Sequence, residues 1–404
     1  MPAHSQGQEE ESVPRPLEIG VLQRLLMENR LFVPVLRGGG ICNHYSMALL
    51  SAWGLGAGDR ELAKFSHFLD GRYRQPYQEL PAPTNQLRRD NWTSGGMGDM
   101  NSVAKFREFF LQELKAQGLE TTLKTYLPQL VLGQHKGLFH PMIRLCFALL
   151  APIDGADEAA EALAYSSCRY EPLYPSAPKD FGAFLEPQAD TLPAGEPVMD
   201  LAEVESEMHA AWVQLRQVYA PRGYNGRGNS FQVLAELYQD NGLHRVCLSH
   251  FPVCAENTAE CVLLAVQLAL QLYKYQPGLT TLHAVTGGHA VSDILPRLPK
   301  AVQVVSAKLY WVWLSTLFVE KGAPPVSRWA ASAGTELETD WPEVRRLALS
   351  PIDDSGEAKG GLGDQEPQTH CIKLVYSCDA LCQKLAHPLY LEVANLVAKR
   401  GVPW

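Results

Sequence analysis

The sequence predicts an all-α protein: a single large multi-helix domain with long ordered loops. Three observations predict it. Apolar residues recur at helical spacing in nearly every segment that is not rich in proline and glycine. No segment shows the period-two alternation of a half-buried strand, so any sheet is expected only as short hairpins. With 404 residues, 46% of them hydrophobic, the chain can bury a large core.

The elements follow in chain order. Residues 1–16 are polar and acidic and read as a disordered tail, leaving 17–404 as the domain. Leu17, Val21, Leu22, Leu25 and Leu26 define a helix over 17–29. The Gly38-Gly39-Gly40 loop leads into a helix over 42–53, with Asn43 as a candidate cap and His44 in its first turn. A helix over 59–69 carries His67 on a surface face. Residues 72–99 form a long loop whose Trp92 invites burial, so it is expected to lie ordered over a pocket. Helices follow over 102–117, stopped by Gly118, and over 119–132, interrupted at Pro128. His140 precedes Pro141, which suits the first turn of an apolar helix running to 150. An alanine-rich helix spans 157–167, and the Pro-rich segment 169–200, with Tyr170 and Tyr174, should lie beside the pocket. Further helices are expected over 201–219 and over 230–240 with a serine cap. The apolar helix 261–275 is capped by Asn257 or Thr258 and stopped by Pro277 and Gly278. A new helix starts near Thr280, followed by one over 301–319. Residues 320–369 read as low-order, flexible over about 350–368. Helices opening near His370 and spanning 388–399 complete the chain.

The net charge of −9 and scattered basic residues argue against nucleic acid as a partner, because phosphate binding needs a concentrated basic face. Nine cysteines without CxxC spacing do not make a disulfide framework and read as reduced thiols, which makes the cytoplasm the default compartment. The first 16 residues lack the apolar core of a signal peptide. No run of about 18 consecutive apolar residues appears, so no membrane span is expected.

Histidines carry the functional signal. His283 and His289 flank a Thr286-Gly287-Gly288 break in an apolar segment, and the two glycines allow a bend or a close approach. His44, His140 and His370 share that context, at or near helix starts. Five separate buried imidazoles each need their own polar partner, whereas convergence on one metal satisfies several together. There is no HExxH, no paired-glutamate di-iron pattern and no GxGxxG, so the common helical metal sites and a dinucleotide fold are unsupported. Arg144 lies one turn after His140 and, if buried, needs a structural carboxylate or an anionic ligand. Lys373 shares a face with His370. A buried lysine is either paired with an acid such as Asp379 or neutral enough to add carbon dioxide and become a carboxylate-like carbamate ligand.

Four motifs in order carry a resemblance. Gly-Leu-Phe-His-Pro-Met-Ile at 137–143, Leu-His-Ala-Val-Thr-Gly-Gly-His-Ala at 282–290, His-Cys-Ile-Lys-Leu-Val at 370–375, and Asn-His-Tyr followed by Leu-Gly-Ala within 43–57 resemble the questin-oxidase-like family. The resemblance implies an all-helical oxygenase with a non-haem metal, Fe2+ or another divalent ion, acting on an aromatic or polyketide-like small molecule. The reaction implied is a Baeyer–Villiger-like oxidation or oxidative C–C cleavage with O2, with NADPH as a candidate external reductant. By position it carries metal-binding roles to His44, His140, His283, His289 and His370, with Lys373 as the candidate carbamate ligand. Arg144 and Lys373 are the expected catalytic side chains. Met47 and Arg144 stand where members often have further histidines, and Gly288 where threonine is common. A zinc-dependent hydrolase or lyase, and a non-catalytic helical protein with structural histidines, are the competing readings.

Overall fold

The computed structural model of the 404-residue chain describes residues 20–35, 42–69, 75–77, 86–151, 156–173, 199–227, 229–326, 339–350 and 365–402. The glycine run at 38–40, Tyr174, the N-terminal tail and residues 351–364 of the stretch expected to be flexible over 350–368 lie outside the described residues, while its last four residues are helical. Among the described residues there is no strand, only two isolated antiparallel bridges, Phe32–Pro76 and Val35–Cys42. The all-α expectation holds.

Sixteen helices are described. They are α1 Val21–Asn29, α2 Tyr45–Gly54, α3 Asp59–Leu69, α4 Val103–Gln117, α5 Leu119–Leu130, α6 His140–Leu150, α7 Ala156–Cys168 and α8 Leu201–Tyr219. The second half holds α9 Ser230–Leu237, α10 Asn241–Ser249, α11 Thr258–Tyr275, α12 Leu279–Ile294, α13 Lys300–Glu320, α14 Trp341–Leu349, α15 Gln365–Lys384 and α16 Pro388–Arg400.

Helix α12 is the centre of the packing. It lies against α6, α11, α13 and α15, and every residue in it except Leu279 and Asp293 is buried. A helix that is apolar on all sides has no solvent face to offer, so its neighbours surround it. The expected Thr-Gly-Gly break is not a break: α12 runs unbroken through Gly287 and Gly288. The glycines serve close approach instead. A Cβ on Gly287 would stand 2.6 Å from the Phe139 ring, and one on Gly288 would stand 2.3 Å from the Tyr310 hydroxyl and 2.4 Å from Val266. Tyr310 reaches past Gly288 to donate to the Ala284 carbonyl at 2.8 Å.

Several boundaries differ from the sequence reading for local reasons. Pro128 sits inside α5 without stopping it. It removes only the bond to the carbonyl of Lys124, an exposed residue in the last turns. Asn229, not Ser230, caps α9, accepting from the Gln232 amide. Two helices escaped the sequence reading, α10 and α14. Each is short and starts at an aspartate: Asp240 accepts from the Gly242 and Leu243 amides, and Asp340 from the Glu343 amide. Helix α15 begins at Gln365, so His370 lies in its second turn and not at its start.

Helix α13 is long and apolar enough to cross a membrane by length and composition, with a mean hydropathy of 1.3, but 83% of that window is buried inside the protein. Its Trp311 stacks on Trp212 of α8 at 5.8 Å and donates to the Cys247 carbonyl at 2.8 Å. Trp92 meets Phe110 of α4 and Tyr126 of α5 edge-on, at 6.3 Å and 5.1 Å.

Candidate metal centre

Four helices bring histidines together. His44 is the N-cap residue of α2 and His140 the first residue of α6. His283 lies one turn into α12, and His370 lies on α15. All four are buried or nearly so: His283 is 0% exposed, His370 2% and His44 3%.

Each ring is aimed by local chemistry. Asn43 donates to Asn29 Oδ1 and the Val33 carbonyl, and its own Oδ1 accepts from the Tyr45 amide at 3.0 Å. That set of bonds locks the segment that presents His44. His140 is presented by a left-handed turn: Gly137, Leu138 and Phe139 have φ of 60°, 55° and 62°. Left-handed conformation costs a residue with a Cβ roughly 1–2 kcal/mol. The cost is offset by burial of Phe139, which sits on Gly287 and meets Trp313 edge-on at 4.9 Å. The turn also points the Gly137 carbonyl at His140 Nδ1. His283 Nδ1 lies 2.7 Å from the Leu279 carbonyl, one turn back in α12.

These two carbonyl contacts decide the tautomers. A carbonyl only accepts, so Nδ1 of His140 and of His283 each carry the hydrogen, and each Nε2 presents a lone pair. The two Nε2 atoms face each other at 3.1 Å, and His44 Nε2 stands 2.7 Å from His140 Nε2. A proton on His44 can serve the His140 lone pair, but the His140–His283 pair remains two acceptors in contact. Protonating His140 is opposed: burial first, then His283, His44 and Lys373, hold it well below the ordinary histidine range, against the favourable Gly137 carbonyl.

A cation between the rings would resolve the conflict. Metal–imidazole bonds of about 2.0–2.1 Å place neighbouring nitrogens roughly 3.0–3.4 Å apart, close to the spacings seen here. Ligand atoms of His140, His283 and His370 lie within 4.8 Å of one another, and so do those of Cys42, His44 and His140. The backbone contacts at Nδ1 are the kind of outer support that fixes a ligating imidazole. The residues fit a divalent metal with nitrogen ligands, of the kind imidazole suits. Cys42 was missed by the sequence reading; its signal was its place two residues before His44.

Two expected residues are elsewhere. His289 is six residues after His283, which turns it to another face of α12. It groups with Cys146 and Asp293 and not with the other four histidines. Arg144, expected as catalytic, has its guanidinium taken up by others: Glu161, Glu158 at 3.3 Å, and the Asn43 carbonyl at 3.1 Å. Of the two partners left open for it, the structural carboxylate is the one found. It holds the backbone immediately before His44. Burial pushes the Glu161 carboxyl up to about 7, with Arg144 opposing and Glu158 adding to the rise. Lys373 is buried on α15 one turn from His370, near enough to His140 to oppose its protonation. Asp379, considered as its partner, instead forms a two-pronged pair with Arg345 at 2.8 and 2.9 Å. His67 is exposed, as expected.

A cavity of about 190 Å³ lies behind the left-handed turn, lined in part by His135, Leu138, Tyr238, Phe231 and Trp313. The model of the questin oxidase-like family matches residues 41–378, a stretch that includes the four clustered histidines, His289 and Lys373. The chain is also similar to Oxidoreductase AflY of Aspergillus parasiticus, with 29% identity over 173 residues. That stretch covers 41% of this chain and 34% of the relative, so the match spans about a third of the relative's length.

Proposed function

Since the chain belongs to the questin oxidase-like family, we propose that it is an oxidoreductase whose clustered histidines hold a divalent metal ion, Fe2+ first among candidates. The carrying observation is the His140–His283 contact: two lone pairs at 3.1 Å, each fixed by a carbonyl at the opposite ring nitrogen. Similarity to an oxidoreductase supports the reaction class. We further propose an aromatic, polyketide-like small molecule as substrate and O2 as co-substrate, with NADPH as a candidate external reductant. A redox-active ion at this site would supply the one-electron chemistry that O2 needs.

The chain's own residues bind, orient and exclude water. His44, His140, His283 and His370 supply nitrogen ligands, and Cys42 stands beside two of them. The Gly137 and Leu279 carbonyls keep the ligating nitrogens free of protons. Burial of His44, His283 and His370 keeps bulk water from the reacting atoms. Trp313, Tyr238 and Phe231 give the adjoining cavity flat apolar walls. The cavity also carries polar groups, Lys136, Glu171 and Gln239, and exposed Phe231 stands at its rim. Lys373 adds a carboxylate ligand in this reading if its amine takes up carbon dioxide, releasing one proton.

The test is O2 uptake by iron-loaded protein with a panel of hydroxylated polycyclic quinones, with and without NADPH. Substrate-dependent uptake is the expected result. Tightly bound zinc with hydrolysis and no O2 uptake moves the protein to the hydrolase reading. No bound metal and no turnover leaves the histidines structural.

A further inference from the structure

Cys146, His289 and Asp293 form a second cluster, apart from the four-histidine centre. His289 and Asp293 are four residues apart on α12 and so share a face, while Cys146 comes from α6. Cys146 Sγ lies 3.3 Å from Asp293 Oδ2, and His289 Nε2 lies 3.4 Å from the same oxygen. His289 is 1% exposed, and its Nε2, aimed into this group, has no hydrogen-bond partner in proper geometry. We propose that this cluster is a second metal site, for a zinc-like divalent cation with mixed sulfur, nitrogen and oxygen ligands.

The distances match the chemistry. Zn–S of about 2.3 Å and Zn–O or Zn–N of about 2.0–2.1 Å in a tetrahedron put sulfur and oxygen roughly 3.5 Å apart and nitrogen and oxygen roughly 3.3 Å apart. The outer partners are also in place. Ser377 Oγ meets His289 Nδ1 at 3.1 Å, which leaves Nε2 for the metal. Lys384 Nζ binds the other carboxylate oxygen, Oδ1, and Ser292 Oγ at 2.9 Å, so it orients Asp293 without covering Oδ2. The present Cys146-to-Asp293 thiol hydrogen bond occupies the place where the cation would sit. On binding, the S–H bond breaks, its proton goes to solvent, and metal–sulfur, metal–nitrogen and metal–oxygen bonds form. Sulfur has no redox change in this step. Three protein ligands leave a fourth position for water, and the Asp293 side chain, 18% exposed, marks the side nearest solvent.

The experiment is a cobalt(II) titration of the full-length protein, read by stoichiometry and by the near-ultraviolet thiolate-to-cobalt charge-transfer band. The wild type is expected to bind two equivalents and to show the band. Cys146→Ser and Asp293→Asn should each abolish the band and lose one equivalent, and Cys42→Ser should retain the Cys146 band. His283→Ala should lose the other equivalent and keep the band, which separates failure of this site from failure of the histidine centre. Cys146→Ser is nearly isosteric, so a matching circular dichroism spectrum and melting temperature guard against misfolding. A Cys42→Ser protein without the band, or a band that survives Cys146→Ser in the Cys42→Ser background, overturns the proposal.

Discussion

At the residue scale, Arg144 shows how a group can matter to a site without touching it. Its charge is shared by Glu158 and Glu161 in full burial, and its remaining arm holds the Asn43 carbonyl. Removing one partner of a buried ion pair leaves uncompensated charge and costs about 3–5 kcal/mol. Arg144→Met should therefore lower stability by that order in denaturant unfolding, and should loosen metal binding through His44. Adding Glu161→Gln should recover part of the loss, because one of the stranded carboxylates is gone. Additivity of the two changes would count against this network. Lys373 belongs to the same scale. If it is carbamylated, protein loaded with diamagnetic zinc and isotopically labelled bicarbonate should show a carbamate carbon signal by NMR that Lys373→Ala lacks. Absence of that signal in the wild type removes the carbamate. That Arg144 would be buried and paired was legible from its place in an apolar helix. That its partners would be carboxylates on α7 was not, because a contact between separate helices leaves no trace in local spacing.

At the element scale, α12 decides how much of the site could be read from sequence. Its apolar character marked it as core, and the Gly-Gly pair marked it as unusual. Periodicity could not tell a bend from a contact, since the large residues that need the space, Phe139 and Tyr310, lie in the turn before α6 and on α13. The same helix explains why His289 was grouped with His283 in sequence and not in space: six residues turn it to another face. Gly288→Ala is a direct test. Alanine gains about 1 kcal/mol of helix propensity, but its Cβ would meet Tyr310 at 2.3 Å and Val266 at 2.4 Å. Overpacking costs about 1–3 kcal/mol, and the Tyr310–Ala284 hydrogen bond is at risk as well. Net destabilisation is expected, smaller in combination with Tyr310→Phe and Val266→Ala. An unchanged or higher melting temperature for Gly288→Ala would show that α12 has room the structure denies. The aspartate-capped α10 and α14 were missed because their helices are short and their surroundings polar, so caps alone were too weak a signal.

At the scale of the whole molecule, buried neutral histidines set a pH window. Burial lowers His135 to about 3 and His244 to about 4, against about 6.5 in the unfolded chain. The unfolded state then binds more protons between those values, so stability is full above about pH 6.5 and falls as pH drops towards 4. At pH 5 each histidine costs on the order of 2 kcal/mol, from 1.36 kcal/mol per unit. The melting temperature should fall between pH 7 and pH 5, and His135→Asn should flatten part of that slope. A slope identical to wild type in the variant would show that His135 does not titrate on unfolding. Charge balance, helix content and the absence of a dinucleotide motif were legible across the chain. That the histidines converge was legible from their shared context and from the motif resemblance, but the meeting of α2, α6, α12 and α15 at one point, without His289, was not, because long-range packing is not written in any single segment.

Metal content measures whether His44, His140, His283 and His370 hold one metal ion. Elemental analysis should be run on wild type, His283→Ala and the surface control His67→Ala, each purified identically and shown to fold by circular dichroism. Near-stoichiometric iron is expected in the wild type and in His67→Ala, with loss of most of that iron in His283→Ala. Equal metal in His283→Ala and wild type, with both proteins folded, would contradict a metal held by these histidines.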